Sequence, residues 1–226
     1  VSTQSELSLL RALQLASGTL PVGAYAYSQG IEWAVQAAWI TDETALGLWL
    51  DEQLMNTMAQ TDLPIFLRLF DAAHEQNEPL LGEWSRVLIA SRETSELVAD
   101  DCARGRALAR LLDSLGVINA RPWLQKADSP FAALAAIAAV AWEISRETAA
   151  SAYLWGWLEG QVMAGVRLVP LGQVAGQRLL FSLAGQIPEV LEIARNLPDD
   201  EIGSTLPNLA IASSLHETQY TRLYRS

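Results

Sequence analysis

Apolar residues recur at three- and four-residue steps along nearly the whole chain, the spacing that places them on one face of an α-helix. Phe66, Leu69, Phe70 and Ala73 form one such stripe, and Leu46, Trp49, Leu50, Leu54 and Met58 form another. A third runs through Val98, Cys102, Gly105, Ala109 and Leu112, flanked by Leu108 and Leu111. Asp62 reads as the cap of the first stripe, with Pro64 in its first turn. Strict alternation with β-branched residues is not found in any segment, so no strands are expected. Glycine and proline breakers at 18–23, 76–79, 116–122, 128–130, 170–172, 188 and 198–207 divide the chain into about eight to ten helices joined by connections of ordinary length. The longest apolar run, Pro130 to Trp142, falls short of the roughly 20 residues a membrane span needs. It reads as a helix apolar on every side, capped by Ser129, opened by Pro130 and placed at the centre of the fold. With no long polar linker and no internal repeat, residues 1–226 read as one all-α domain around that central apolar helix.

Composition narrows the class without naming a function. Of 226 residues, 50% are hydrophobic, 18% are charged and the formal net charge is −11. That balance excludes disorder, and it argues against nucleic acid or an anionic membrane surface as partner, since both call for a basic face. Val1 to Glu6 lack the positive stretch of a signal peptide, so a cytoplasmic protein is expected. The single cysteine, Cys102, sits within an apolar stripe and reads as an inert core thiol.

Catalytic and metal chemistry finds little to build on. There is no phosphate-binding Gly-x-x-x-x-Gly-Lys loop and no Gly-x-Gly-x-x-Gly. Two histidines, His74 and His216, do not make the Glu-x-x-His pairs of a di-metal bundle. Ser28, in Ala26-Tyr27-Ser28-Gln29-Gly30, is one residue off a nucleophile elbow, and in an all-α chain it reads as a helix cap. No catalytic residue, metal ligand or cofactor is therefore expected.

Three segments stand apart from ordinary helix. Leu20 to Glu32 combines a proline turn, two glycines and two tyrosines immediately before a helix. Ser91 to Glu96, continuing to Arg104, Arg106 and Arg110, places Arg92 four residues from Glu96 and reads as a solvated face of alternating charge. The segment 216–226, His-Glu-Thr-Gln-Tyr-Thr-Arg-Leu-Tyr-Arg-Ser, carries two Tyr, two Arg and a Leu, a composition frequent in interface hot spots. It reads as an ordered tail, docked on its own domain or on a partner, whose removal from Tyr220 onward is expected to cost little stability.

In this order, with Val162-Met-Ala-Gly-Val-Arg-Leu-Val-Pro-Leu-Gly-Gln173 and Ile202-Gly-Ser204 between them, these segments resemble the UreF family of urease accessory proteins. The resemblance runs over almost the whole chain. It implies an all-α, homodimeric, cytoplasmic protein that is not an enzyme. Its partners would be UreD (UreH in some organisms), the GTPase UreG and apo-urease, and its role to recruit and regulate the GTPase during nickel insertion. Carried over by motif, Tyr25 and Arg222 are the leading contact positions. Gln29, Glu32, Arg167, His216, Glu217, Tyr220, Tyr224 and Arg225 are expected beside them. Some relatives place a lysine where Arg167 stands, and the two are not equivalent at a bidentate contact. Positioning of the GTPase by Arg222 and Tyr25 is the simpler expectation than an arginine finger supplied in trans. Two alternatives are a helical scaffold without regulatory activity and a helical enzyme with a Trp- and Tyr-lined small-molecule pocket, which would need convergent titratable groups.

Overall fold

The computed structural model describes residues 3–226, so Val1 and Ser2 of the polar stretch read above lie outside the described residues. The helices are α1 (Thr3–Ala16), α2 (Ile31–Gln36), α3 (Glu43–Gln53), α4 (Leu63–His74), α5 (Glu78–Ala90) and α6 (Ser95–Ser114). They continue as α7 (Phe131–Ala141), α8 (Arg146–Leu168), α9 (Gln173–Ala184), α10 (Ile187–Asn196) and α11 (Pro207–His216). No strand occurs among the described residues, and no helix is long and apolar enough to cross a membrane. One hydrophobic core runs from Ala12 of α1 to Tyr224 beyond α11.

At the centre of that core is α7, as its composition requires. Ala132 through Ala139 are all buried, and the helix packs between α4 and α6. Small side chains let the flanking helices close around it while burying apolar surface at about 25 cal/mol per Å². Its start differs from the sequence expectation. Pro130 is extended, at φ −65° and ψ 145°, and precedes the first helical residue, Phe131. Ser129 does not cap either, because its hydroxyl donates to the carbonyls of Trp123 and Lys126. The Phe131 N–H instead donates to Asp101 Oδ1 of α6 at 2.7 Å. Gly105 permits that approach: a Cβ there would stand 1.7 Å from the Ser129 carbonyl oxygen, so only glycine lets α6 lie against this loop.

Asp62 also departs from its expected role. It caps nothing, because α3 and α4 are joined by a π-helical stretch, Leu54–Asp62, into one helical body. The wider turn accommodates Pro64, which has no N–H and would crowd the carbonyl four residues back. That carbonyl, on Gln60, accepts the Gly203 N–H at 3.0 Å. Thr61 Oγ1 accepts the Ser204 N–H at 2.8 Å. The irregularity in the helix thus anchors the loop leading into α11, which is how the tail reaches its site.

Candidate functional site

Two remote segments form the site: the turn before α2 and the chain after α11. Gly30, at φ +86°, opens α2 and lies so close to α11 that a Cβ would meet Ala212 and Ser213 at 3.3 Å. Glu32 follows in the first turn of α2 and is buried. Its carboxylate accepts the Leu223 and Tyr224 N–H groups at 2.6 and 2.8 Å, and stands 3.1 Å from His216 Nε2. Further along, the Arg225 N–H donates to the Ala26 carbonyl, and the Ser226 carbonyl accepts the Ser28 and Gln29 N–H groups and the Ser28 hydroxyl. Ser28 Oγ also accepts the Glu32 N–H at 3.3 Å, so its expected helix contact exists beside a second task, holding the tail. The tail is docked on its own domain.

His216 is fully buried, with Glu96 Oε2 2.7 Å from Nδ1 and Glu32 Oε2 on the opposite nitrogen. Carboxylates on opposite edges of one ring cannot converge on an ion, and no group of three or more His, Cys, Asp or Glu able to hold a metal occurs among the described residues. Glu96 also accepts from Arg222 Nη1 at 2.6 Å.

The second charged segment is only partly the solvated face expected: Arg110 is exposed, whereas Arg92 and Arg104 pair with buried carboxylates. Thr94 caps α6 by accepting the Leu97 N–H, so Arg92 lies outside the helix and turns inward. Its guanidinium reaches both oxygens of Asp62, at 3.0 and 2.7 Å, and Asp101 Oδ2 at 3.0 and 2.8 Å. Burial works against the Arg92 charge, but Asp62 and Asp101 outweigh it and hold the group well above its ordinary value. For Asp101 burial is likewise overcome, by Arg92 and Arg104, and its carboxyl lies below the usual range. Neighbouring Asp100 goes the other way, raised by burial although Arg104 and Gln29 bond to it. Tyr153 donates to Asp62 at 3.5 Å, and burial holds its hydroxyl well above its ordinary value. Burial similarly raises the Cys102 thiol, which remains among core side chains.

Gln29 joins clamp and ion network. Its side chain donates to Asp100 at 3.0 Å and accepts from Trp157 Nε1 at 3.2 Å, while its backbone sits at φ +50°. A non-glycine residue in this left-handed region persists where its surroundings over-determine it. Beside it opens a cavity of about 520 Å³, whose wall includes Tyr25, Gln29, Arg92, Asp101, Arg167 and Tyr224.

The expected contact residues therefore divide by burial. Tyr25, Arg167, Glu217, Tyr220, Arg222 and Arg225 are exposed, Gln29 is partly buried, and Glu32, His216 and Tyr224 are buried. The buried three hold the tail rather than offering surface. Asp62, Arg92, Asp101 and Arg104 were missed as a unit, although carboxylates within the Val98–Leu112 stripe were the available signal. Convergent titratable groups do line a pocket, as the enzyme alternative required, but Asp62 and Asp101 are both bound by Arg92.

Fold and site define an all-helical protein whose tail is clamped across a glycine-containing turn, with exposed aromatic and basic residues on the clamped segments. The UreF family model matches residues 40–184. Among relatives, a urease accessory protein UreF of Pseudomonas putida strain W619 is 48% identical over 222 residues, covering 98% of this chain and 99% of that protein. A urease accessory protein UreF of Alkalilimnicola ehrlichii strain MLHE-1 is 46% identical over 224 residues, covering 99% and 98%. The chain belongs to the UreF family of urease accessory proteins.

Proposed function

We propose that this chain recruits and regulates the GTPase UreG, together with UreD/UreH, so that nickel is inserted into apo-urease, and that it does so without catalytic chemistry of its own. The observation that carries the reading is the clamp. It holds Tyr25, Tyr220, Arg222 and Leu223 exposed on two segments bonded side by side, where loose chain would lose binding energy to ordering. Arg222 is tied to Glu96 through one amino group only and keeps donors for a partner. Tyr25 and Arg222 are the leading contacts; Arg167, Glu217, Tyr220 and Arg225 surround them, while Gln29, Glu32, His216 and Tyr224 fix the arrangement from beneath.

A cytoplasmic homodimer completes the reading. Leu48 on α3 and Val174 and Phe181 on α9, two helices that pack together, stay 63%, 70% and 86% exposed. Val174 and Phe181, seven residues apart, share one face of α9, and exposed apolar side chains on one face mark interaction surfaces.

The deciding experiment is co-purification with UreG and UreD/UreH, followed by nickel loading of apo-urease with the chain present or omitted. Arg222→Ala is expected to weaken GTPase recruitment and urease activation while leaving circular dichroism unchanged. Wild-type recovery of the GTPase by this variant would sink the assignment.

A further inference from the structure

The cavity beside the clamp has features the proposed role does not use. Its volume of about 520 Å³ lies within the range of ligand pockets. Rings of Tyr25, Tyr27, Phe131, Tyr153, Trp155 and Trp157 line it. Its wall also carries the carboxylate residues Asp62, Glu93, Asp101 and Glu159 and the arginines Arg92, Arg104 and Arg167. Arg92 is consumed by Asp62 and Asp101, and Arg104 is bonded to Asp100 and rests over the Phe131 ring. Glu93 and Glu159 have no ion pair among the described residues, and burial raises the Glu93 carboxyl.

We infer that the cavity receives a basic side chain, the guanidinium or ammonium of a partner protein, set among the aromatic rings and bonded by Glu93 and Glu159. Aromatic faces and carboxylates both favour a cation, whose N–H groups donate to the carboxylates. An anionic ligand would meet an excess of carboxylates. The occupant is a protein side chain because the walls reach the exposed contact surface: Tyr25 and Arg167 belong both to it and to the cavity. The chain's net charge of −11 also favours a basic partner. The inference rests on the proposed function only in placing that surface at the cavity mouth.

The test titrates the full chain with Nα-acetyl-arginine amide, followed by tryptophan fluorescence and calorimetry. Nα-acetyl-citrulline amide serves as the uncharged control of the same shape. Saturable binding with a dissociation constant on the order of 1 mM is expected for the arginine probe, about tenfold weaker for citrulline. The pair Glu93→Gln and Glu159→Gln should weaken the arginine probe by about tenfold with unchanged circular dichroism. If the double variant fails to fold, Glu159→Gln alone carries the comparison. Equal binding of both probes, no saturable signal, or an unaffected variant overturns the inference. Putrescine binding more tightly than the capped arginine would make the ligand a free amine and overturn the protein assignment. Recruitment of the GTPase without probe binding refutes this inference alone; probe binding without recruitment refutes the functional reading alone.

Discussion

Asp101 performs three tasks with one carboxylate: it pairs with Arg92, lies near Arg104 and caps α7 through Phe131. Asp101→Asn keeps an acceptor for the cap but leaves Arg92 buried beside less negative charge. Unfolding at pH 7 is expected to become easier by about 3 kcal/mol, the range for breaking a buried pair. The pH dependence follows from the direction of the shift. A carboxyl held below its unfolded value adds stability above that value and loses it as pH falls through the folded one. The gap between wild type and variant should therefore narrow below roughly pH 4, which denaturant melts across pH will show. A gap constant down to acid would contradict the pairing. None of this was legible from spacing: Arg92 and Glu96, four apart, suggested one helix face, and the Thr94 cap sends them to different partners.

At the scale of elements, the tail behaves as part of the fold. Sequence composition led to the expectation that residues from Tyr220 onward could be removed at little cost. In the structure, Leu223, Tyr224 and Arg225 each give a backbone N–H to the α2 region, Ser226 accepts three hydrogen bonds there, and Tyr224 is buried. At about 1 kcal/mol per net hydrogen bond, deleting Tyr220–Ser226 should cost roughly 3 kcal/mol or more. The milder Glu32→Gln replaces a two-oxygen acceptor with one oxygen and an amide that opposes the tail N–H groups. Faster tryptic cleavage at Arg222 and Arg225 is expected, with the helical signal retained. Unchanged cleavage would mean that Glu32 does not hold the tail. The helices themselves were readable from apolar period, and the central place of α7 from its lack of a polar face. Their joints were not. The π-helical stretch before Pro64 and the Gly203 bond to Gln60 depend on segments far apart in sequence.

For the molecule as a whole, the proposed homodimer makes a further prediction. Phe181→Glu on α9 should convert a dimer to a monomer in light scattering, without loss of helicity, because it places a charge on the exposed apolar face of α9 that also carries Val174. A variant of unchanged mass would remove that face from the assembly. The sequence by itself determined the helical class, the buried α7, the absence of a phosphate loop and the two terminal motifs that carry the family resemblance. Those features are local: periodicity, composition and short spacing express the physics of a single helix or turn. Tertiary structure alone decided that Glu32 and His216 clasp the tail, that Arg92 turns inward between Asp62 and Asp101, and that the rings converge on one cavity. A charged side chain takes its role from whatever counter-charge the fold brings within reach, and those partners stand 9 to 184 residues away along the chain.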